Sequence, residues 1–427
     1  MRLRIEKAIY GGSGLARAEG KAVFVPFTLP DETVEARVVG ESRGYDIADL
    51  DAVLEPNPAR TQPPCPYFGK CGGCHYQHAE YTAQVEMKAA ILRETLERGR
   101  VAAIPEIIPI TGEPLGYRNR VRLHVQKNPF ALCYKLRNSH VNLPVDTCPI
   151  AAPALQQAIT ALNREGHGLG FAEWVREIEL FINGDDSAML VALWTDVNAG
   201  RATRALEECW TRLCKRLPAL KGGAVFASEK GRRADRIVAQ VGTNSLQYGC
   251  GARQYQVSAG AFFQVNRFLI ERLVNLVTDG ESGTTAWDLY AGVALFSLPL
   301  TSSFANVVAV ESAGSSVRDL HRNLRGTGHR VVQADTADFL RRAVERGESA
   351  PDLVVVDPPR AGLGQQATAA LGKLRPRKIT YVSCDPATLS RDLAALLESG
   401  YRLRKMHLVD LFPQTFHLES VTHLALD

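Results

Sequence analysis

The stretch Lys378-Ile-Thr-Tyr-Val-Ser-Cys384-Asp385-Pro386 sets a thiol at the end of a β-forming run, just before a proline and a helical pattern over Ala387–Ser399. A thiol beside a helix N-terminus is expected to have a lowered pKa, because the dipole favours the thiolate. Alone, such a cysteine reads better as a small buried apolar residue than as a nucleophile. Two neighbours favour the nucleophile. Asp357-Pro-Pro-Arg360 ends the preceding β-forming run and should lie on the same sheet edge as Cys384. Phe412-Pro-Gln-Thr-Phe-His417-Leu-Glu419 places an acid before the last run, where it can serve as a general base.

Three further acids recur at strand ends. Thr284-Thr-Ala-Trp-Asp288-Leu-Tyr290-Ala-Gly292 runs into a glycine turn, Asn306-Val-Val-Ala-Val-Glu311 ends in a carboxylate, and Asp335 follows Arg330–Gln333. In a Rossmann-like sheet ligands bind at the carboxyl ends of the strands, where such an acid can take both hydroxyls of a ribose. A dinucleotide would call for Gly-x-Gly-x-x-Gly. The loop Gly292-Val293-Ala294 has no such run, which favours a cofactor without phosphates.

A separate group, Cys65-Pro-Tyr-Phe-Gly-Lys-Cys71-Gly-Gly-Cys74, packs three thiols into ten residues, with Cys148 the expected fourth ligand and Cys133 its rival. Unrelated reduced thiols are a poor explanation at this density. Zinc and an iron–sulfur cluster both take four thiolates. Only one Cys-x-x-Cys pair is present, and the fourth thiol is remote.

The elements that must position these residues divide the 427-residue chain into three parts. Residues 1–57 read as a small β-barrel, with β-forming runs at Lys21–Phe27 and Glu32–Val39, and end at a proline-rich segment. Residues 58–250 carry the cysteine loop and a helix at about 79–98, then mix strands and helices. Residues 251–427 alternate strand and helix as an α/β doubly wound sheet. The expected strands are Thr285–Leu289, Asn306–Val310, Arg330–Gln333, Asp352–Val356, Lys378–Ser383, Arg402–Leu408 and Ser420–Leu426. No apolar run is long enough to span a bilayer, and the first residues lack the apolar core of a signal peptide. A cytoplasmic monomer is expected, with its nine cysteines reduced unless they bind metal.

The motifs Phe262-Phe-Gln264-Val-Asn266, Asp288-Leu-Tyr-Ala-Gly292, Asp357-Pro-Pro-Arg360, Ser383-Cys384-Asp385-Pro386 and His417-Leu-Glu419-Ser-Val421 stand in the order and spacing of the RNA uracil-5 methyltransferase family, which the chain resembles over nearly its whole length. The first segment resembles a TRAM domain, an OB-type RNA-binding barrel. The resemblance implies a Rossmann-like S-adenosylmethionine-dependent methyltransferase domain, an N-terminal TRAM barrel and an α+β central domain. It implies that Cys384 adds to carbon 6 of a uracil in RNA and that Glu419 takes the proton from carbon 5. It assigns Gln264, Tyr290, Glu311 and Asp357 to the site shared by donor and uracil, with Asp335 beside them. Leu295 falls on a donor-contact position without a side chain that can hydrogen-bond. It also implies a 4Fe–4S cluster on Cys65, Cys71, Cys74 and Cys148, with a structural or RNA-binding role.

Relatives carry Cys and a second Gly where this chain has Ala291 and Ala294. Ala294 adds a methyl where the backbone approaches the donor or adopts positive φ. A non-catalytic RNA-binding protein with a weakened donor loop is therefore the alternative, and a methyltransferase acting on an exocyclic nitrogen is a third reading. Net charge is only +4, but basic residues outnumber acidic ones over residues 61–150 and not over 1–60. In Tyr117-Arg-Asn-Arg-Val-Arg-Leu-His124, a strand would put Arg118, Arg120 and Arg122 on one face, with Lys127, Lys135 and Arg137 following, as a phosphate contact. Phe262, Phe263 and Tyr290 are candidates to receive an unstacked base. Ribosomal RNA is favoured over transfer RNA as the substrate.

Overall fold

The computed structural model describes residues 1–227 and 236–426. The N-terminal unit is a six-stranded sheet in the order Arg2–Arg4, Thr33–Glu41, Tyr45–Glu55, Lys21–Pro26, Ser13–Ala18, Lys7–Ala8. It curls around Ile5, Val23, Val25, Val34 and Ala48, which share a core of their own. Ile5 N–H donates to Glu32 O, and the next residue, Glu6, donates to Leu15 O. That step joins the two sides of the sheet and gives it the form of a small barrel.

The central sheet has seven strands, ordered Asn142–Pro144, Ala131–Lys135, Arg120–Gln126, Glu177–Ile182, Met189–Thr195, Leu220–Ala227, Arg236–Gly242. Its one parallel pairing joins Met189–Thr195 to Leu220–Ala227, across the helix Ala199–Arg216. All seven residues of Met189–Thr195 are buried, because helices cover one face and the hairpin Ser245–Cys250/Arg253–Ser258 packs on the other.

The third sheet runs Arg330–Gln333, Phe304–Glu311, Gly283–Leu289, Leu353–Val356, Lys378–Ser383, Ser420–Leu426, Tyr401–Val409, Ile107–Ile110. The first five strands are parallel, and Ser420–Leu426 is antiparallel to both of its neighbours. The strand order reverses between Gly283–Leu289 and Leu353–Val356, which opens a crevice at their carboxyl ends. Each of the seven expected strands forms. Residues 81–110, which the sequence division puts with the central segment, contribute here as well. Ile107–Ile110 pairs parallel with Tyr401–Val409, and the helix Tyr81–Arg98 packs on the helix Pro386–Glu398, with Ser390 Oγ 3.3 Å from Thr95 O.

Candidate active site

The loop after Gly283–Leu289 forms the crevice floor. Tyr290, Gly292 and Ala294 all hold positive φ, at 64°, 57° and 80°. Such clustering of left-handed backbone is a form of strain met at functional sites. Glu311 pins the loop from the next strand: its Oε2 accepts from Gly292 N (2.9 Å), and its Oε1 from the amides of Ser312 and Ala313 (2.7 Å each). Phe262, Gln264, Tyr290, Leu295 and Asp357 line one pocket with Gly292. Glu311 stands behind that loop. Asp335 is exposed and caps the helix Thr336–Glu345, accepting from Ala337 N and Asp338 N, close to Tyr290 but outside the pocket lining. Asp288 lies fully buried, receives a hydrogen bond from Ser297 Oγ, and has its carboxyl pushed up to about 7 by burial.

Ser383 and Ser420 are register partners on antiparallel strands. Cys384 follows the first and Glu419 precedes the second, so the ladder sets the two beside each other. Burial pushes the Cys384 thiol up to about 12, and the acids Glu419 and Asp357 add to the effect. This corrects the expected lowering by the helix dipole. Asp385 N-caps Pro386–Glu398 and accepts from Ala387 N (3.0 Å) and Thr388 N (2.9 Å), so the helix's free amides are spent on its carboxylate. Glu419 is 3 % exposed, and its Oε1 has no hydrogen-bond partner. Burial and the neighbouring Asp357 hold its carboxyl well above the usual range. Asp357 is pushed up to about 7, by burial first and Asp288 second.

The segment carrying Glu419 is held by residues that sequence reasoning missed. Lys88, fully buried, donates to Asp410 Oδ1 (2.6 Å) and to Phe412 O (2.9 Å). Gln84 and Gln414 exchange hydrogen bonds, Tyr117 Oη donates to Pro413 O, and Asn266 Nδ2 donates to Leu411 O. Gln84 and Lys88 lie three and seven residues after Tyr81, on the buried face of the helix with Val85, Ile91 and Leu92. Two polar residues on that stripe were the available signal.

Cys65, Cys71, Cys74 and Cys148 line one cavity of about 420 Å³, together with Arg118 and His417. Cys133, the rival ligand, is buried away from that lining, its Sγ 3.6 Å from Ala131 O. Burial raises the thiols of Cys65, Cys71 and Cys74, the last to about 12, and Cys148 adds to each. Among the described residues, no group of three or more His, Cys, Asp or Glu side chains is arranged to hold a single metal ion.

Arg120 and Arg122 alternate with the buried Val121 and Leu123 and so share one strand face, as expected. The strand begins at Arg120, and Arg118 precedes it on the wall of the cysteine cavity. Arg120 lies 4.2 Å over the Phe181 ring, donates to Ala261 O and faces Glu179. Arg122 pairs with Glu177 (2.6 Å) and lies 3.8 Å over Trp194. Arg120 thus ties the central sheet to Ala261, just before the Phe262–Asn266 segment, and carboxylates of the adjacent strand face both Arg120 and Arg122. Phe262 and Phe263 both line the pocket: Phe263 is buried, 4.7 Å from Tyr248, and Phe262 is 65 % exposed.

The family of tRNA (uracil-5-)-methyltransferases matches residues 203–426, which span the donor loop, Cys384 and Glu419. This chain belongs to that family. A TRAM domain matches residues 1–49, the curled N-terminal sheet. An uncharacterized RNA methyltransferase of Aquifex aeolicus is 34% identical over all of this chain and 98% of its own length. The 23S rRNA (uracil(1939)-C(5))-methyltransferase of Chromohalobacter salexigens is 32% identical, covering 100% of this chain and 89% of its own. The crystal structure of Pyrococcus abyssi tRNA (uracil-54, C5)-methyltransferase shares the fold across both whole chains, with a TM-score of 0.78 at 23% identity. This uracil-5-methyltransferase family member has no described helix long and apolar enough to cross a membrane.

Proposed function

We propose that this protein methylates carbon 5 of a uridine in RNA through a covalent adduct between Cys384 and carbon 6 of the base. The observation that supports the reading is the Ser383–Ser420 register, which sets Cys384 beside Glu419, both near Asp357 of the donor pocket wall. Carbon 5 of uracil is a weak nucleophile, and thiolate addition at carbon 6 makes it enolate-like. Of the two buried carboxyls, Asp357 takes the thiol proton, which leaves Glu419 free to accept the proton of carbon 5. Loss of that proton re-forms the carbon 5–carbon 6 double bond and expels Cys384.

The crevice suits S-adenosylmethionine. When bound, this donor supplies an electrophilic methyl on its sulfonium sulfur. Gln264, Tyr290, Leu295 and Asp357 would surround it. Glu311 would hold its ribose while keeping the Gly292 loop in place, and Asp335 would stand at the adenine end. The non-catalytic alternative rests on Ala294. That methyl is fully buried among Ala291, Ala309, Leu320 and Leu324 and is absent from the pocket wall, so it leaves room for the donor.

Cys65, Cys71, Cys74 and Cys148 would hold a 4Fe–4S cluster. What supports this is the chemistry of the donor set: four thiols lining one cavity, the ligand type and number that such a cluster takes. Residues 1–57 would bind RNA, 58–250 would carry the cluster and further RNA contacts, and 251–427 would perform the transfer. Full-length similarity to a 23S rRNA enzyme favours ribosomal over transfer RNA as substrate. Mapping 5-methyluridine in ribosomal and transfer RNA from cells with and without the gene tests the reading. One ribosomal uridine should lose its methyl, and an unchanged pattern in both RNA classes would refute it.

A further inference from the structure

We propose that Tyr10, at the tip of the N-terminal barrel, is a positioning residue for methyl transfer, its hydroxyl holding Asp385 and thereby the backbone that aims Cys384. The inference rests on the assignment of Cys384 as nucleophile.

The local sequence builds the contact. The chain reverses over Ile9–Ser13 on two glycines, Gly11 (φ 104°) and Gly12 (φ 90°), with Ile9 N donating to Ser13 O. A Cβ on Gly12 would meet His75 at 3.0 Å, so the turn lies flush on the cysteine-rich segment. The amides of His75 and Tyr76 both donate to Gln414 O, in the segment that carries Glu419. The His75 and Tyr10 rings both pack on Phe416, with centroids 4.6 and 5.4 Å away.

From that seat Tyr10 Oη donates to Asp385 Oδ2 at 3.3 Å, across 375 residues of chain. The other oxygen, Oδ1, caps the helix through Ala387 N and Thr388 N. One carboxylate oxygen thus anchors the helix, and the other is anchored by the barrel. Cys384 is the next residue toward the N-terminus, and it lies close enough to Tyr10 to act on its hydroxyl electrostatically. At 3.3 Å the bond is long for O–H···O⁻, which leaves room for it to tighten as substrate seats. The barrel therefore completes the reacting centre as well as extending the RNA surface.

The test uses full-length Tyr10→Phe, which keeps the ring on Phe416, and Asp385→Ser, which keeps a helix cap but removes the oxygen that Tyr10 holds. Thermal melting is read alongside steady-state kinetics and the rate of adduct formation on RNA containing 5-fluorouridine. For Tyr10→Phe, kcat and the adduct rate should fall together by about tenfold, the usual weight of a hydrogen bond to a charged group, with KM for RNA and donor within about twofold. Added to Asp385→Ser, Tyr10→Phe should cost nothing more. Wild-type kinetics, a raised KM for RNA at unchanged kcat, or additive losses in the double variant would each overturn the proposal. A Cys384→Ala control separates the two readings. If it retains turnover, the nucleophile assignment itself fails. If it is inactive while Tyr10→Phe behaves as wild type, only the role of Tyr10 fails.

Discussion

Ser383 and Ser420 face each other across an antiparallel pairing, and Ser420 Oγ reaches Ser383 O at 3.4 Å. Cys384 and Glu419 project from the next step of that ladder. Their separation is therefore set by main-chain geometry, and Glu419 can be altered without moving the thiol. Glu419→Gln removes the acceptor for the carbon 5 proton and leaves addition and methyl transfer possible. A methylated, covalent protein–RNA species should accumulate with ordinary uridine RNA, visible on denaturing gels, while turnover falls by about 10²–10⁴-fold. Near-normal turnover would remove Glu419 from the mechanism.

The pH dependence follows from the buried acids. Burial raises both Asp357, to about 7, and Glu419. Each group is protonated below its raised pKa and accepts a proton only above it, so kcat/KM should climb as pH rises through about 7. An unperturbed glutamate would give a limb near about 4.3. Asp357→Asn removes the like charge beside Glu419 and should shift the acid limb of the residual activity to lower pH. A limb that stays in the ordinary carboxylate range in the wild type would contradict this picture.

The cysteine cavity predicts which thiols matter. Cys148→Ser, like Cys65→Ser, Cys71→Ser or Cys74→Ser, should yield protein depleted of iron and acid-labile sulfide, whereas Cys133→Ser should retain both. The measurement is iron and sulfide content of anaerobically purified protein, independent of turnover. Full iron content in the Cys148 variant would move the fourth ligand elsewhere.

Ala294 carries left-handed backbone at φ 80°, which costs an L-residue about 1–2 kcal/mol. Ala294→Gly relieves that strain but gives up a buried methyl, about 0.8 kcal/mol, and adds unfolded-chain freedom, about 0.5–1 kcal/mol. Stability should change by less than about 1 kcal/mol in a denaturant titration, and donor affinity by less than about twofold in calorimetry. Tenfold tighter donor binding would show that the methyl obstructs the site.

Much of this was legible in the sequence, and the rest was hidden for definite reasons. The parallel strands of the third sheet are buried on both faces, so Leu353–Val356 and Lys378–Ser383 read as unbroken β-forming runs. Ile107–Ile110 was missed because it is an edge strand of four residues containing Pro109. Cys384 was placed correctly beside a helix start, but its raised pKa comes from burial first and then from Glu419 and Asp357, all of which only folding supplies. The carboxylates beside Arg120 and Arg122, Glu179 and Glu177, were hidden in the same way, since they lie on a strand that only folding brings alongside. Tyr10 gave no sign of its place, since nothing local in a glycine turn points to a residue 375 positions away.

Covalent catalysis by Cys384 is tested most directly on RNA containing 5-fluorouridine. Glu419 cannot remove fluorine, so the adduct formed after methyl transfer has no route to elimination. Wild-type protein with donor should give a complex that survives denaturation, with the modified peptide mapping to Cys384, and Cys384→Ala should give neither the complex nor 5-methyluridine. Methylation by Cys384→Ala at the wild-type rate, or an adduct on another residue, would contradict it.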